Sequence, residues 1–291
     1  MIPTKDRSDV LGRAIGSALT QEGPTVEVIV VDDGSGAEAA VAVRAASEID
    51  PRITHLRNES AIGPSAARNR GLEAASARLV CFLDDDNELL PGRLAAQAPL
   101  VDADDVIAVA GVELVPPGGG PSERMDPGLP SPTRVDGTEN PFTMLPSRLF
   151  VHTYLAPAEL VRSVGAYDAS VWWGEHTELF LRLRTAARFV GAPVLGTRVH
   201  RAEASPRASR DFERKVEGIR RIMARHPEVF ERAPALRAEW LDVLGVALLR
   251  IGRRDEAREA LRASLTARMR LQSLRHLVAA ATRTERVLCR T

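Results

Sequence analysis

Apolar and polar positions alternate along the first part of the chain in short blocks, helical in one and strand-like in the next. Leu11, Ala14, Ile15, Ala18 and Leu19 recur at helical spacing behind Ser8, a residue type that caps helix starts, and Gly23-Pro24 closes the block. Val26 to Val31 is an apolar run rich in β-branched residues, the pattern of a strand buried on both faces. An alanine-rich helix at about 37–48, a short strand over Ile53–Leu56 and a helix opened by Gly63-Pro64 come next. Leu79 to Leu83 reads as another buried strand, and Pro91 opens a further helix. The alternation predicts an α/β fold of the Rossmann-like kind, a mostly parallel sheet flanked by helices and joined by right-handed crossovers. Ligands of such sheets sit beyond the carboxyl ends of the strands.

From about residue 208 the pattern turns helical throughout. Phe212, Val216, Ile219, Ile222 and Met223 share one helical face, and Pro227 breaks it. Leu244-Gly245, Leu248, Gly252, Ala257 and Leu261 fall at spacings similar to one tetratricopeptide helix hairpin, whose small residues let two helices approach closely. A single unit of that kind buries its face only against a neighbour.

Charge sharpens this division. The 39 basic and 39 acidic side chains cancel overall, but residues 1–204 carry 19 basic against 28 acidic and residues 205–291 carry 20 against 11. A reversal that sharp predicts two domains, 1–204 and 205–291, the second smaller, basic and all-α. The balanced total excludes a simple nucleic-acid binder. Cys81 and Cys289, with no CxxC, exclude a disulfide scaffold and a cysteine zinc site. No apolar run reaches the roughly 18 residues of a spanning helix, and the opening MIPTKDRSD is unlike a signal peptide, so a cytoplasmic protein is expected. The basic tail fits a partner, an acceptor, self-association or an anionic inner membrane face; a helical cap with its charges in water is the plainer alternative.

Two of the expected strands end in acid. Val31 runs into Asp32-Asp33-Gly34-Ser35, and Leu83 runs into Asp84-Asp85-Asp86-Asn87. Side chains alternate near a strand end, so Asp84 and Asp86 can face one way while Asp85 faces another. Paired carboxylates there suit Mg2+ or Mn2+, hard cations that also engage substrate phosphates. A solvated acidic turn that caps the next helix is the alternative reading.

Five stretches in order resemble the family 2 glycosyltransferases, which have the GT-A fold. They are Ile2-Pro3-Thr4 with Arg7; Val30-Val31-Asp32-Asp33-Gly34-Ser35; Gly63 with Ala67-Arg68-Asn69 and Gly71; Phe82-Leu83-Asp84-Asp85-Asp86 with Leu90-Pro91-Gly92; and Gly174-Glu175-His176-Thr177-Glu178-Leu179 with Arg182. The resemblance covers roughly residues 1–205. It implies transfer of a sugar from a nucleotide-diphosphate donor, a UDP-sugar foremost, to an acceptor hydroxyl with inversion. It also implies donor contacts at Pro3, Thr4, Asp33, Arg68, Asp84 and Asp85, with Asp33 on the base. The metal-binding DxD motif would be Asp84 and Asp86, and His200 stands where the family often has a metal-contacting histidine, a packed residue being the other reading.

The same comparison marks departures. The family usually has Glu-Asp where this chain has Glu175-His176, and that aspartate is normally the base. His176 and Glu175 are therefore the catalytic candidates, with Glu178 one turn away as a rival. A third outcome is weakened catalysis, the domain then serving as a scaffold or binding protein through its helical tail. Only Met1-Ile2 precede Pro3, so the opening strand is expected to start upstream of the given chain, and Lys5-Asp6 replace a usual Tyr-Asn beside the donor. Residues 116–147 read as a long Gly/Pro-rich loop, either an acceptor lid or a plain insertion. Its Gly118-Gly119-Gly120 lacks the lysine and spacing of a phosphate loop. Trp172-Trp173 suits either sugar stacking or core packing.

Overall fold

Three parallel strands form around the most apolar run of the first segment: β1 (Ile2–Thr4), β2 (Val28–Asp33) and β3 (Ile53–Asn58), with β2 in the middle. Every residue of β2 is buried, which is why its apolar run is unbroken. Ile2 stands opposite Val30, and Val30 opposite His55. Helices α1 (Ser8–Leu19), α2 (Ala37–Ser47) and α3 (Pro64–Ala74) connect these strands and lead out of the last. Helix α1 buries Leu11, Ala14, Ile15 and Ala18 as their spacing predicts. Ser8, expected as its cap, is instead its first residue; Arg7 holds the cap position and makes no side-chain cap bond. This computed structural model describes residues 1–126, 128–129, 131–134, 153–200, 211–268, 273, 276 and 277.

The chain continues through β4 (Leu79–Val80), β5 (Glu88–Leu89), α4 (Arg93–Gln97), β6 (Val106–Val115), β7 (Glu123–Met125), β8 (Tyr154–Pro157), α5 (Ala158–Ser163), α6 (Glu175–Ala186) and β9 (Arg188–His200). The second sheet runs β4-β8-β6-β9-β5, with β7 added to β6. Here β6 and β9 are parallel, and the other four pairs are antiparallel. Parallel pairing thus dominates the first sheet while the second is mixed. A short turn between β6 and β7 returns the chain antiparallel, as short connections require. Strand β7 also occupies part of the expected 116–147 loop; residues 135–147 lie outside the described residues.

Two expected elements are shortened for visible reasons. The run Leu79 to Leu83 is a ladder strand only at Leu79–Val80. Beyond these it is bonded to the chain's first residue, Met1 N–H to the Cys81 carbonyl at 3.0 Å and Leu83 N–H to the Met1 carbonyl at 3.0 Å. Helix α4 begins two residues after Pro91 because Gly92 takes a left-handed conformation, φ 74°. Its Arg93 is wholly buried and donates to the Gln97 side chain (2.7 Å), the Thr197 hydroxyl (3.0 Å) and the Tyr154 carbonyl (2.9 Å), tying α4 to β8 and β9.

Among the described residues, 1–170 and 176–200 belong to one compact unit, and 171–175 with 211–268 to a second. The second contains α7 (Phe212–Arg225), α8 (Pro227–Arg232), α9 (Pro234–Arg250) and α10 (Arg254–Ala267). Asp211 caps α7 by accepting from Arg214 N–H at 3.0 Å, and Pro227 and Pro234 occupy first turns. Helices α9 and α10 form a hairpin through a turn in which Gly252 has φ 79°. A β-carbon on Gly245 would lie 2.5 Å from the Leu261 side chain, so the close approach depends on this glycine. Gly245→Val is expected to cost about 1–3 kcal/mol by overpacking, read as a lower urea midpoint at unchanged slope.

Trp173 packs edge-on against Trp240 at 6.4 Å within this unit, under the Lys215 ammonium at 4.8 Å, while the Arg214 guanidinium lies 4.1 Å over Trp172. Core packing, not an open stacking face, accounts for Trp173. Among the described residues no helix is long and apolar enough to cross a membrane.

Candidate functional site

The carboxyl ends of β1, β2 and the 79–83 segment bring together the acidic turns and three arginines. Exposure alternates after Leu83: Asp84, Asp86 and Glu88 are half-buried, while Asp85, Asn87 and Leu89 are buried. Asp84 takes a 2.7 Å ion pair from Arg68 on α3. Asp86 pairs with Arg7 at 2.7 Å, and its carbonyl accepts from Arg13 at 2.6 Å. Asp85 turns inward, accepting from the Thr4 hydroxyl at 2.8 Å and from Arg7 at 2.9 Å. Burial pushes the Asp85 carboxyl up to about 7 against the downward pull of Arg7 and Thr4. The Thr4 hydroxyl is thus committed to Asp85, and the neighbouring Pro3 is half-buried.

The β2 end forms a second, tightly bonded turn. Asp32 is fully buried; it accepts from Ser35 N–H at 2.9 Å and pairs with Arg57. Asp33 accepts from the Asn58 amide (2.8 Å), Ile62 N–H (2.8 Å) and Gly63 N–H (2.9 Å), so segment 58–63 wraps its carboxylate. Gly34, at φ 72°, makes this possible: a β-carbon there would stand 2.6 Å from Ala61 N. Asp6 closes the near side, its N–H donating to the Ser35 hydroxyl at 3.0 Å and its carboxylate accepting from Gly36 N–H at 2.7 Å. The Lys5-Asp6 departure therefore shapes the loop beside Asp33.

Helix α6 carries the other candidates. Its Glu178 is fully buried in a bidentate pair with Arg182 (2.9 and 3.1 Å to Nε, 2.5 Å to Nη2), and Arg182 also donates to the Val164 and Ala166 carbonyls. That arrangement is a brace, and it sets Glu178 apart from its neighbours. Glu175 and His176 are half-buried, and the His176 ring meets Tyr167 edge-on at 5.8 Å. Tyr167 was not legible as a site residue. It lies under the Arg68 guanidinium (5.5 Å) and edge-on to Phe82 (5.1 Å), and its backbone is held by both ends of the Asn69 amide at 2.8 and 2.9 Å. The Ala67-Arg68-Asn69 stretch thereby places one aromatic ring between the Asp84 partner and His176.

His200, at the end of β9, has its Nε2 2.8 Å from Glu88 Oε1, and its N–H donates to the Asn87 side chain at 3.2 Å. Glu88 and the buried Glu113 share Arg198. Among the described residues no three His, Cys, Asp or Glu side chains converge, so His200 does not join Asp84 and Asp86 in this arrangement. The pair of carboxylates by itself still has the donor chemistry of a hard-cation site, because Mg2+ is usually held by one or two carboxylates together with substrate phosphates.

Comparison with known proteins bears on the family and the fold. Residues 1–155 match the glycosyl transferase family 2 profile. Over 116 residues the chain is 41% identical to the succinoglycan biosynthesis protein ExoO of Rhizobium meliloti, covering 40% of this chain and 33% of that protein. It is 38% identical over 96 residues to the GalNAc(5)-diNAcBac-PP-undecaprenol beta-1,3-glucosyltransferase of Campylobacter jejuni, covering 33% of this chain and 31% of the relative. The match thus spans about a third of the length of these relatives. Among solved structures, S. aureus TarS 1-349 superposes with a TM-score of 0.64 at 15% identity, over 98% of this chain and 90% of that one. The same protein in complex with UDP-GlcNAc gives 0.61 at 16% identity, over 96% and 78%. These structural likenesses show a shared GT-A fold; the profile match, which covers more than half of the 291 residues, shows that the chain belongs to glycosyl transferase family 2.

Proposed function

We propose that the protein transfers a sugar from a nucleoside-diphosphate donor, a UDP-sugar foremost, to an acceptor hydroxyl with inversion at the anomeric carbon. The observation that carries this reading is the triad of strand-end carboxylates, Asp84, Asp85 and Asp86, interlocked with Arg68, Thr4 and Arg7 inside the family-matched span. Arg68 and Arg7 supply fixed positive charge where a diphosphate would gather negative charge as it leaves. Asp33, held by segment 58–63, offers a preorganised acceptor edge for the base. His176 or Glu175 takes the proton from the acceptor hydroxyl as it attacks the face opposite the diphosphate. Asp84 and Asp86 would hold a divalent cation, Mg2+ or Mn2+, which when bound stabilises the diphosphate charge. Holding both substrates in line contributes the remainder.

The acceptor is read as a growing glycan at the cytoplasmic side of a membrane, in keeping with relatives named for succinoglycan biosynthesis and for an undecaprenol-linked substrate. The test is a thermal-shift titration with UDP and with UDP-GlcNAc, each with and without Mn2+. Nucleotide at about 100 times its Kd is expected to stabilise the protein by about 2.7 kcal/mol, and Asp86→Ala is expected to remove the Mn2+-dependent part. No shift with any nucleotide would sink the donor assignment; an equal shift in Asp86→Ala would sink the metal role.

A further inference from the structure

The two base candidates stand on either side of a boundary. Glu175 is the last residue of segment 171–175, which belongs with α7 to the helical unit, and His176 is the first of 176–200, which belongs to the other. Packing inside the helical unit fixes that segment, and the catalytic reading uses none of it.

Two glycines meet there. On α7, Val216, Gly218, Ile219 and Ile222 are buried, and Gly218 and Ile222, four residues apart, share a face. A β-carbon on Gly218 would run into the Trp173 carbonyl oxygen and stand 3.2 Å from its carbonyl carbon, backbone atoms that cannot swing aside. Gly174, on the opposing segment, has φ 79°, and a β-carbon there would lie 2.9 Å from Ile222 Cδ1. Glycine is a poorer helix former than alanine, so helix propensity does not account for Gly218; the close contact does.

The Trp173 ring holds the same segment in a second way. It packs edge-on against Trp240 of α9 at 6.4 Å, under the Lys215 ammonium at 4.8 Å. The backbone at 173–174 is therefore held tightly on α7, and two residues after Trp173, Glu175 opens α6.

We infer that Gly218 is a positioning residue: its close contact with Trp173 lets α7 set the backbone from which Glu175 and His176 enter α6. The inference rests on the reading of one of those two as the base. Gly218→Ala would push the 173–174 backbone off α7, because Val216 and Ile219 fix α7 in the helical core. A misplacement of about 1 Å at a reacting group can cost about 10²-fold in rate.

The test uses the full chain in three variants. They are Gly218→Ala; Trp173→Phe, which relaxes the ring contact without adding bulk; and Gly245→Ala, which crowds Leu261 elsewhere in the same unit. The first readout is the NMR shift of the His176 ring protons, which the edge-on Tyr167 ring at 5.8 Å makes sensitive to position. His176→Ala identifies that resonance among the six histidines. The second readout is turnover of UDP-GlcNAc with Mn2+. Gly218→Ala is expected to displace the resonance and lower kcat about 10²-fold with KM within about twofold. Trp173→Phe is expected to do both to a smaller extent, and Gly245→Ala to lower stability and do neither. A His176 resonance at its wild-type position in Gly218→Ala, or in Trp173→Phe where Gly218→Ala does not fold, would overturn the inference. So would equal displacement in Gly245→Ala, which would mark a general loosening of the helical unit. A displaced resonance with full turnover overturns it too. The base assignment has then failed with it if His176→Ala and Glu175→Gln are also fully active; if either is slow, the positioning inference alone has failed. A wild type that turns over no UDP-GlcNAc counts against the donor assignment, and the resonance comparison then decides positioning by itself.

Discussion

Glu178→Ala is expected to lose about 3–5 kcal/mol of stability, the range for removing one partner of a buried ion pair. The carboxylate is fully buried and takes three contacts from Arg182, whose other donors go to the Val164 and Ala166 carbonyls. Without it the guanidinium keeps the Val164 and Ala166 carbonyls but loses the carboxylate that neutralises it. Urea denaturation of Glu178→Ala, Arg182→Met and the double variant checks this. The double variant is expected to be less damaged than the sum of the singles, because residues in one contact network are not additive. The same helix separates structure from chemistry. His176→Ala or Glu175→Gln, whichever removes the base, is expected to slow transfer by about 10²–10⁴ at nearly unchanged stability. If Glu178→Ala keeps full stability and loses transfer by that factor instead, Glu178 is the base and the brace reading is wrong. Full transfer in both His176→Ala and Glu175→Gln would remove the two from catalysis.

Asp33→Ala is expected to couple a stability loss to a binding loss. The substitution deprives the Asn58 amide, Ile62 N–H and Gly63 N–H of their shared acceptor. Leaving a buried donor unsatisfied costs about 1–3 kcal/mol, and Ile62 N–H is near enough to solvent to recruit water, so a total of about 2–5 kcal/mol is expected. Nucleotide affinity is expected to fall at least tenfold, about 1.4 kcal/mol, because segment 58–63 then loses the three bonds that fold it over the β2 end. Calorimetric titration with UDP beside a urea curve on the same sample reads both. Asn58→Ala distinguishes the two roles of Asp33: it removes one bond of the wrap and leaves the carboxylate. If Asn58→Ala weakens UDP as much as Asp33→Ala does, the loop matters to the nucleotide and the carboxylate does not touch the base.

Much of the α/β half was legible because its signals are local. The burial of Leu11, Ala14, Ile15 and Ala18 follows from helical spacing, and the enclosure of β2 from an unbroken β-branched run. Alternation past Leu83 was also foreseeable, and Asp84 and Asp86 do sit on the more open side from Asp85. What stayed hidden is decided by contacts distant in the chain. Arg7 lies 78 and 79 positions from the carboxylates it grips, and Tyr167 lies 98 from the asparagine that clamps it; no spacing rule reaches that far. Glu178 was weighed as a base on proximity alone, whereas its bond to Arg182 is a four-residue helical pair that the residue types do announce. The mixed second sheet was missed for a different reason: buried parallel and antiparallel strands both read as apolar runs, and only the connections tell them apart.

The chain has two lysines among its 39 basic residues, and their surroundings differ sharply. Lys215 is half-buried with its ammonium over the Trp173 ring, whereas Lys5 is exposed between Thr4 and Asp6. Amine-directed coupling to a sensor surface, dye or resin at neutral pH would therefore concentrate on the residue beside the acidic turns. A protein immobilised that way would hold the acidic turns of its candidate donor site against the support.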